Sequence, residues 1–257
     1  MHDKDTSEQA TADTQEADFG FRRVRDDEKA PLVRAVFDSV AGRYDLMSGF
    51  IHRRWKDQLV TWLAPRPGQV LLDVAGGTGD IACRVLRRLD AARGGGVIVC
   101  DVNRQMLEVG RSRAIDDGIV AGLEWVCGDA ETLPIADRSV DLYTIGFGLR
   151  NVTHIERALA EARRVLKPGG RFMCLEFAPA AAPWLAPAYD LYSFRILPLL
   201  GRIVTGDRDA YTYLVESIRR FPSPTALCDL IEAAGLERPR FRNLTGGVAA
   251  LHSAWRL

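Results

Sequence analysis

The 257-residue sequence lacks net charge: its 34 basic residues are matched by 34 acidic ones. A chain so balanced has no global field drawing it to nucleic acid or anionic lipid, so charge indicates neither as a partner. Lysine is scarce, four against thirty arginines, a bias from which no function follows. Cysteine is scarce as well. Cys83, Cys100, Cys127, Cys174 and Cys228 are scattered without a Cys-x-x-Cys pair, the pattern of reduced thiols acting as small apolar residues in a cytoplasmic protein. Missing too is any apolar run of the roughly 18–20 residues that cross a membrane, and the N-terminus has no signal-peptide pattern. Large apolar groups are few in residues 1–18, which hold six acids against one lysine. Such a segment buries too little surface to offset its ordering entropy, so a disordered acidic tail is expected over 1–21.

What is present is a globular composition, 47% hydrophobic and 26% charged, enough for one large α/β domain over 22–257. Val33, Val36, Phe37 and Val40 recur at helical spacing, ending near Gly42. A second helix carries Trp55, Leu59 and Trp62 and stops before Pro65-Arg66-Pro67-Gly68, so residues 22–66 read as an N-terminal helical lid. Continuous apolar strands are then expected at 70–75, 97–101, 123–127, 140–147 and 171–177, with helices at 81–89, 104–111 and 155–166 between most of them. That alternation argues for a parallel sheet covered on both faces. After a helical, aromatic insertion at 178–222, a helix at 225–234 closes on Gly235. Strands at 239–244 and 248–255 are joined through Thr245-Gly246-Gly247, a tight hairpin signal.

The first strand runs Leu71-Leu72-Asp73-Val74-Ala75 straight into Gly76-Gly77-Thr78-Gly79-Asp80. Glycines let the backbone approach a ligand, and the helix that follows offers unpaired N–H groups. The fragment Gly77-x-Gly79-x-x-Ala82 alone fits a dinucleotide fingerprint, which nucleotide oxidoreductases share. Asp101 ends the second strand about 20 residues on, where a carboxylate accepts both ribose hydroxyls. Asp129-Ala130 follows the third strand after Gly128, where a side chain meets an adenine amino group. Three ligand-facing signals at successive strand ends suit an adenosine at the topological switch point. A turn at Lys167-Pro168-Gly169-Gly170 before the fifth strand, and the antiparallel ending, set the chain apart from dehydrogenases. In these features it resembles the class I S-adenosylmethionine-dependent methyltransferases. The resemblance implies a Rossmann-like α/β fold: a doubly wound, seven-stranded, mostly parallel sheet with a C-terminal antiparallel hairpin strand.

A narrower likeness rests on longer stretches. These are Val36-Phe37-Asp38-Ser39-Val40-Ala41-x-x-Tyr44-Asp45, Ser48-x-x-x-His52-x-x-Trp55, 73–80, Phe147-Gly148-Leu149-Arg150-Asn151-Val152-Thr153 and Arg164-Val165-Leu166-Lys167-Pro168-Gly169-Gly170. Later come Gly206-Asp207-Arg208-x-Ala210-Tyr211, Tyr213-Leu214-x-x-Ser217-Ile218, Phe221-Pro222 and Leu244-Thr245-Gly246-Gly247-x-Ala249-x-x-His252. From about Val33 to the end the chain resembles the ubiquinone/menaquinone biosynthesis C-methyltransferases. That likeness implies a methyl donor, S-adenosylmethionine, held by Asp73, Gly77, Thr78, Gly79, Asp101, Asp129, Ala130 and Gly146, with no metal. Gly146 and Ala178 stand where the family tends to carry serine. Between Met47 and Ser48 the chain is four residues shorter than the family pattern, about one helical turn.

The implied reaction is C-methylation of a polyprenyl hydroquinone ring: demethylmenaquinol to menaquinol, 2-methoxy-6-polyprenyl-1,4-benzoquinol to its 5-methyl product, or both. A relative that binds the donor but serves as a subunit of a quinone-biosynthesis assembly is the alternative. Arg150 is placed to steady a developing phenolate, directly or through water, and Asn151 to orient a hydroxyl; the competing reading is a helix cap with a surface ion pair. His52 and Tyr44 belong to the lid side of the pocket, and His154 to a helix start. The apolar stretch 184–204 is a candidate wall for a prenyl chain, a membrane-facing patch, or simply helices covering the sheet or a dimer face. The partners implied are the quinol, with peripheral contact at the inner membrane, a biosynthetic assembly and a homodimer as further possibilities, and no nucleic acid.

Overall fold

The computed structural model describes residues 16–40, 50–89, 95–179 and 208–257. Tyr44, the short segment after Met47 and the stretch 184–204 lie outside them. An N-terminal hairpin, β1 (Glu16–Phe19) and β2 (Arg22–Arg25), leads into α1 (Asp26–Val40) and α2 (Phe50–Leu63). Next come β3 (Val70–Val74), α3 (Asp80–Leu86), β4 (Gly96–Asp101), α4 (Arg104–Asp116), β5 (Leu123–Cys127) and β6 (Val140–Gly146). After them follow α5 (Ile155–Val165), β7 (Leu166–Phe177), α6 (Arg208–Arg220), α7 (Pro224–Ala233), β8 (Glu237–Leu244) and β9 (Ala249–Trp255). Seven strands make one sheet in the order β5-β4-β3-β6-β7-β9-β8. Its pairings are parallel except those made by β9, antiparallel to both β7 and β8. The expected doubly wound sheet with an antiparallel ending is what forms.

Its strands are apolar without alternating because both faces are covered. Consecutive residues go to opposite sides, as the two-residue period of a strand requires. Leu72, Tyr143 and Cys174 join Leu159 of α5 and Ile231 of α7. Leu71, Leu142 and Met173 join Leu59 of α2, Val85 of α3 and Leu107 of α4. Cys100 and Cys174 are fully buried, as small apolar residues would be, whereas Cys127 is exposed. Helix starts are capped locally: Asn103 accepts from the Met106 N–H at 3.1 Å, and Ser223 from that of Ala226 at 3.2 Å.

Two expectations are corrected. Residues 16–21 do not belong to a disordered tail; they form β1 and the turn of the hairpin. The acid count hid an alternation in which Ala17 and Val24 bury their side chains, and the ordering comes from far away in the chain. Phe19 stacks on Tyr213 at 4.4 Å, and the Phe21 N–H donates to Glu216 at 2.9 Å. The second correction concerns 167–170, which lies within β7 rather than before it. Val140 pairs with Leu166 and Leu142 with Arg171, so the extra residues bulge out of the ladder, with Gly169 at a φ of +81°.

That bulge meets the end of α5 through Arg256. Its buried guanidinium donates through Nη1 to the carbonyls of Arg163, Arg164 and Leu166 at 2.6, 3.0 and 2.7 Å. The last carbonyls of a helix have no partners of their own; here Arg256 supplies them together with the N–H groups of Arg138 and Ser139, which donate to the Arg164 and Val165 carbonyls at 2.9 Å each. Arg256→Ala should lower unfolding free energy by about 1.5–3 kcal/mol, the range for hydrogen bonds to a charged group. An unshifted urea midpoint would show that water satisfies those carbonyls equally well.

Candidate active site

The carboxyl ends of β3, β4 and β6 and the loop after β5 surround one cleft. Its floor is the glycine turn after β3. A side chain at Gly76 would meet Val99 at 2.7 Å, and Gly77 and Gly79 hold φ of +53° and +77°. Even Ala75 is left-handed there, at +50°, a conformation that costs a non-glycine residue energy and is stored at functional turns. Asp101 fixes this turn. Its Oδ2 accepts from the Gly77 N–H and its Oδ1 from the Asn103 N–H, both at 2.8 Å. Each carboxylate oxygen keeps a second lone pair for a ligand hydroxyl. Burial raises the Asp101 carboxyl above its usual range, with those two N–H groups opposing.

Around the floor the lining is acidic. Among the described lining residues Asp80, Asp101, Asp129 and Glu131 stand with one cation, Lys56, itself tied at 2.8 Å to Asp80, which Arg84 also pairs at 2.8 Å. A ligand carrying positive charge fits such a set. Asp73 lies beneath, fully buried, its Oδ1 accepting from the Thr144 hydroxyl at 2.6 Å, while Oδ2 meets no partner at full hydrogen-bond geometry among the described residues. Burial pushes its carboxyl up to about 7.

The opposite wall begins at the end of β6. Phe147 is left-handed at φ +59°, and its carbonyl accepts from the Arg150 guanidinium at 2.6 Å and from Asn151 Nδ2 at 3.3 Å. Arg150 pairs with Glu176 at 2.7 Å, with 5% and 1% of the two side chains exposed. The pair is buried, not the surface contact that was the competing reading, and Arg150 faces the cavity beside Lys29 and Tyr213 rather than the cleft at the strand ends. Asn151 does line the cleft. Its Oδ1 accepts from the Tyr213 hydroxyl at 3.1 Å and one N–H is given to the Phe147 carbonyl, which leaves the second N–H as the group offered to a ligand. His52 packs against Trp55, Phe147 and Phe177 at ring distances of 5.1, 5.4 and 5.6 Å. Burial, with Lys56 and Arg150 nearby, brings its pKa down to about 4. Ala30 and Val33 of α1 close over the cleft.

Most residues expected from the sequence meet here. Gly77, Thr78, Asp101, Asp129, Ala130 and Gly146 line the cleft, while Gly79 holds the turn against Trp125 and Asp73 sits below it. At Gly146 a Cβ would lie 2.5 Å from Ile81 Cδ1, so the isoleucine fills the space a serine would need. His154 points away, bridging Glu131 at 3.0 Å and Asp26 at 2.9 Å. Lys56, Asn103, Glu131 and Phe147 were not foreseen. Only Asn103 carried a local signal, an N-cap residue directly after the Asp101 strand end.

Known proteins share the sequence pattern and the fold. Residues 8–256 match the model of the ubiE/COQ5 methyltransferase family. The chain is 56% identical to the ubiquinone/menaquinone biosynthesis C-methyltransferase UbiE of Dinoroseobacter shibae, over 93% of this chain and 96% of that one. With the protein of the same name from Brucella abortus the identity is 54%, over 94% and 91%. Among solved structures, a SAM-dependent methyltransferase from Aquifex aeolicus shares the fold with a TM-score of 0.57 at 16% identity, over 79% of this chain and 89% of that one. A possible histamine N-methyltransferase from Thermotoga maritima does so at 0.60 and 21%, over 88% and 100%.

Asp73 sets a pH dependence of stability. Its carboxyl rises from 3.8 to about 7 on folding, so the folded state keeps a proton that the unfolded state releases. The stabilisation is complete below the unfolded value and is lost as pH rises through 7. His52 and His252, both lowered to about 4, act oppositely, and because their unfolded forms are still half protonated at about pH 6.5 they keep gaining stability above it. Between about pH 6.5 and 8 the two histidines together gain about as much as Asp73 loses, roughly 1 kcal/mol, so the protein's stability should stay nearly level. Denaturant titrations of Asp73→Asn should instead show stability rising by roughly 1 kcal/mol over that range; a level profile in the variant would remove Asp73 from the balance.

Proposed function

The chain belongs to the ubiE/COQ5 methyltransferase family, and from that premise we propose that it methylates a ring carbon of a polyprenyl hydroquinone with S-adenosylmethionine. Demethylmenaquinol and 2-methoxy-6-polyprenyl-1,4-benzoquinol are the acceptors in view. The observation that carries the reading is the cleft itself: acceptors at three successive strand ends around a glycine turn, with four carboxylates facing one ammonium. The donor supplies a methyl group already activated on a sulfonium, which calls for alignment and charge rather than a nucleophilic side chain.

Asp101 accepts the ribose hydroxyls, and Asp129 with Ala130 meets the adenine. The acidic lining holds the donor's positive charges. On the facing wall the Asn151 amide donates to a ring hydroxyl and sets the ring's orientation. Phe147 and the aromatic group behind it, His52 included, exclude water. His52 is neutral at physiological pH and too weak a base, at about 4, to hold the ring proton. Arg150 acts as a positioning residue: with Glu176 it clamps the Phe147 carbonyl and the turn that bears Asn151.

The four-residue shortening between Met47 and Ser48 favours the second reading, a donor-binding subunit of a quinone-biosynthesis assembly. Quinone profiling of a bacterium deleted for this activity and complemented with the chain tests the first. Recovery of methylated quinone supports it. Donor binding by calorimetry without methyl transfer to a short-chain quinol would favour the subunit.

Two substitutions separate donor from acceptor roles. Asp101→Ala should weaken S-adenosylmethionine binding by about 1.5–3 kcal/mol, read by titration calorimetry; unchanged affinity would reject the ribose assignment. Tyr213→Phe frees Asn151 and should lower kcat about fivefold, the equivalent of one neutral hydrogen bond, with donor affinity unchanged. Equal losses in both would make Tyr213 a structural residue only.

A further inference from the structure

At the end of the sheet away from the cleft, a second cavity gathers Arg171, Arg238, Arg240 and Arg242 with Trp62 and Trp255. Arg171 pairs in register with Trp255, six residues before the Phe177 end of β7, about 20 Å along the strand from the donor side. No carboxylate lines this cavity. Among the described residues, no salt bridge engages any of the four arginines, though the chain as a whole is neutral. Like charges are held together by fixed geometry. The Arg171 guanidinium lies 4.8 Å from the Trp255 ring and 5.7 Å from that of Trp62, with Arg242 4.2 Å from the same Trp62 ring. Arg171 also donates to the Leu63 carbonyl at 3.2 Å and to the Ser253 hydroxyl at 3.1 Å. Burial and the neighbouring Arg242 charge both lower its pKa, the mark of a cation short of a counter-ion.

Arginines on an exposed edge strand such as β8 also deter strand pairing between molecules. That role asks for side chains spread into solvent. It does not account for Arg171, which belongs to the interior strand β7, nor for the convergence of the group on one concavity. Planar guanidiniums stacked on indoles and aimed at one space match the fork geometry of phosphate oxygens.

We propose that this cavity is a second binding site, for a phosphate-bearing anion, separate from the methyl-transfer cleft. The phosphate comes from a free phosphate compound or from an anionic lipid headgroup, and the chemistry of recognition is the same. Calorimetry of the full chain with inorganic pyrophosphate, at ionic strength held constant with chloride, tests it. Saturable binding is expected, weakened roughly tenfold or more in the doubly substituted protein Arg240→Gln, Arg242→Gln, since charge-assisted hydrogen bonds contribute on that order. Both positions are exposed on β8, so the variant should keep its melting temperature and its methyl-transfer rate. Flotation with vesicles of phosphatidylglycerol in phosphatidylcholine decides the source. Co-flotation that pyrophosphate competes away and the variant loses assigns a lipid headgroup; pyrophosphate binding without flotation assigns a free phosphate. No binding in either arm, or binding that the variant retains, overturns the proposal.

Discussion

Asp101 holds the N–H groups of Gly77 and Asn103 at 2.8 Å each, and the floor of the cleft is arranged around that carboxylate. One bond ties the end of β4 to the glycine turn after β3. The other sets the residue that caps α4. Without a carboxylate here, the left-handed turn from Ala75 to Gly79 would have no partner for a backbone N–H that faces a cleft. The two Asp101 oxygens are thereby fixed in place, each with a lone pair to spare.

The facing wall is organised by a different device. Arg150 and Glu176 are buried together, and a buried pair is a weak source of stability because desolvation offsets the Coulomb attraction. Its value here is geometric. The guanidinium holds the carbonyl of Phe147, whose left-handed backbone would otherwise relax, and Glu176 receives the N–H groups of Arg150 and Phe177 at 3.3 and 2.9 Å. From Asn151 the chain of contacts runs outward through Tyr213 to Phe19. The N-terminal hairpin is thereby two contacts from Asn151 in the cleft wall, and Lys29 of α1 joins it by donating to the Val152 carbonyl at 2.7 Å.

The parallel sheet, the two-sided core, the glycine turn and the acids at the ends of β4 and β5 were legible in the sequence. Each is written in a short window: apolar runs of strand length, Gly77-x-Gly79, a carboxylate closing a strand. Local chemistry decides such features, because a strand buried on both faces must be apolar and a turn that meets a ligand must be glycine-rich. Tertiary structure decided the rest. Arg150 was placed at the right edge, yet Glu176, 26 residues on, determines which way it faces. Residues 16–21 read as tail because their partners, Tyr213 and Glu216, lie almost two hundred residues away. The arginines of β8 are unremarked polar residues in sequence, and become a site only when β7, β9 and the end of α2 are brought beside them. Sequence fixes what a residue can do over a few neighbours; which groups it meets depends on contacts whose spacing along the chain carries no local signal.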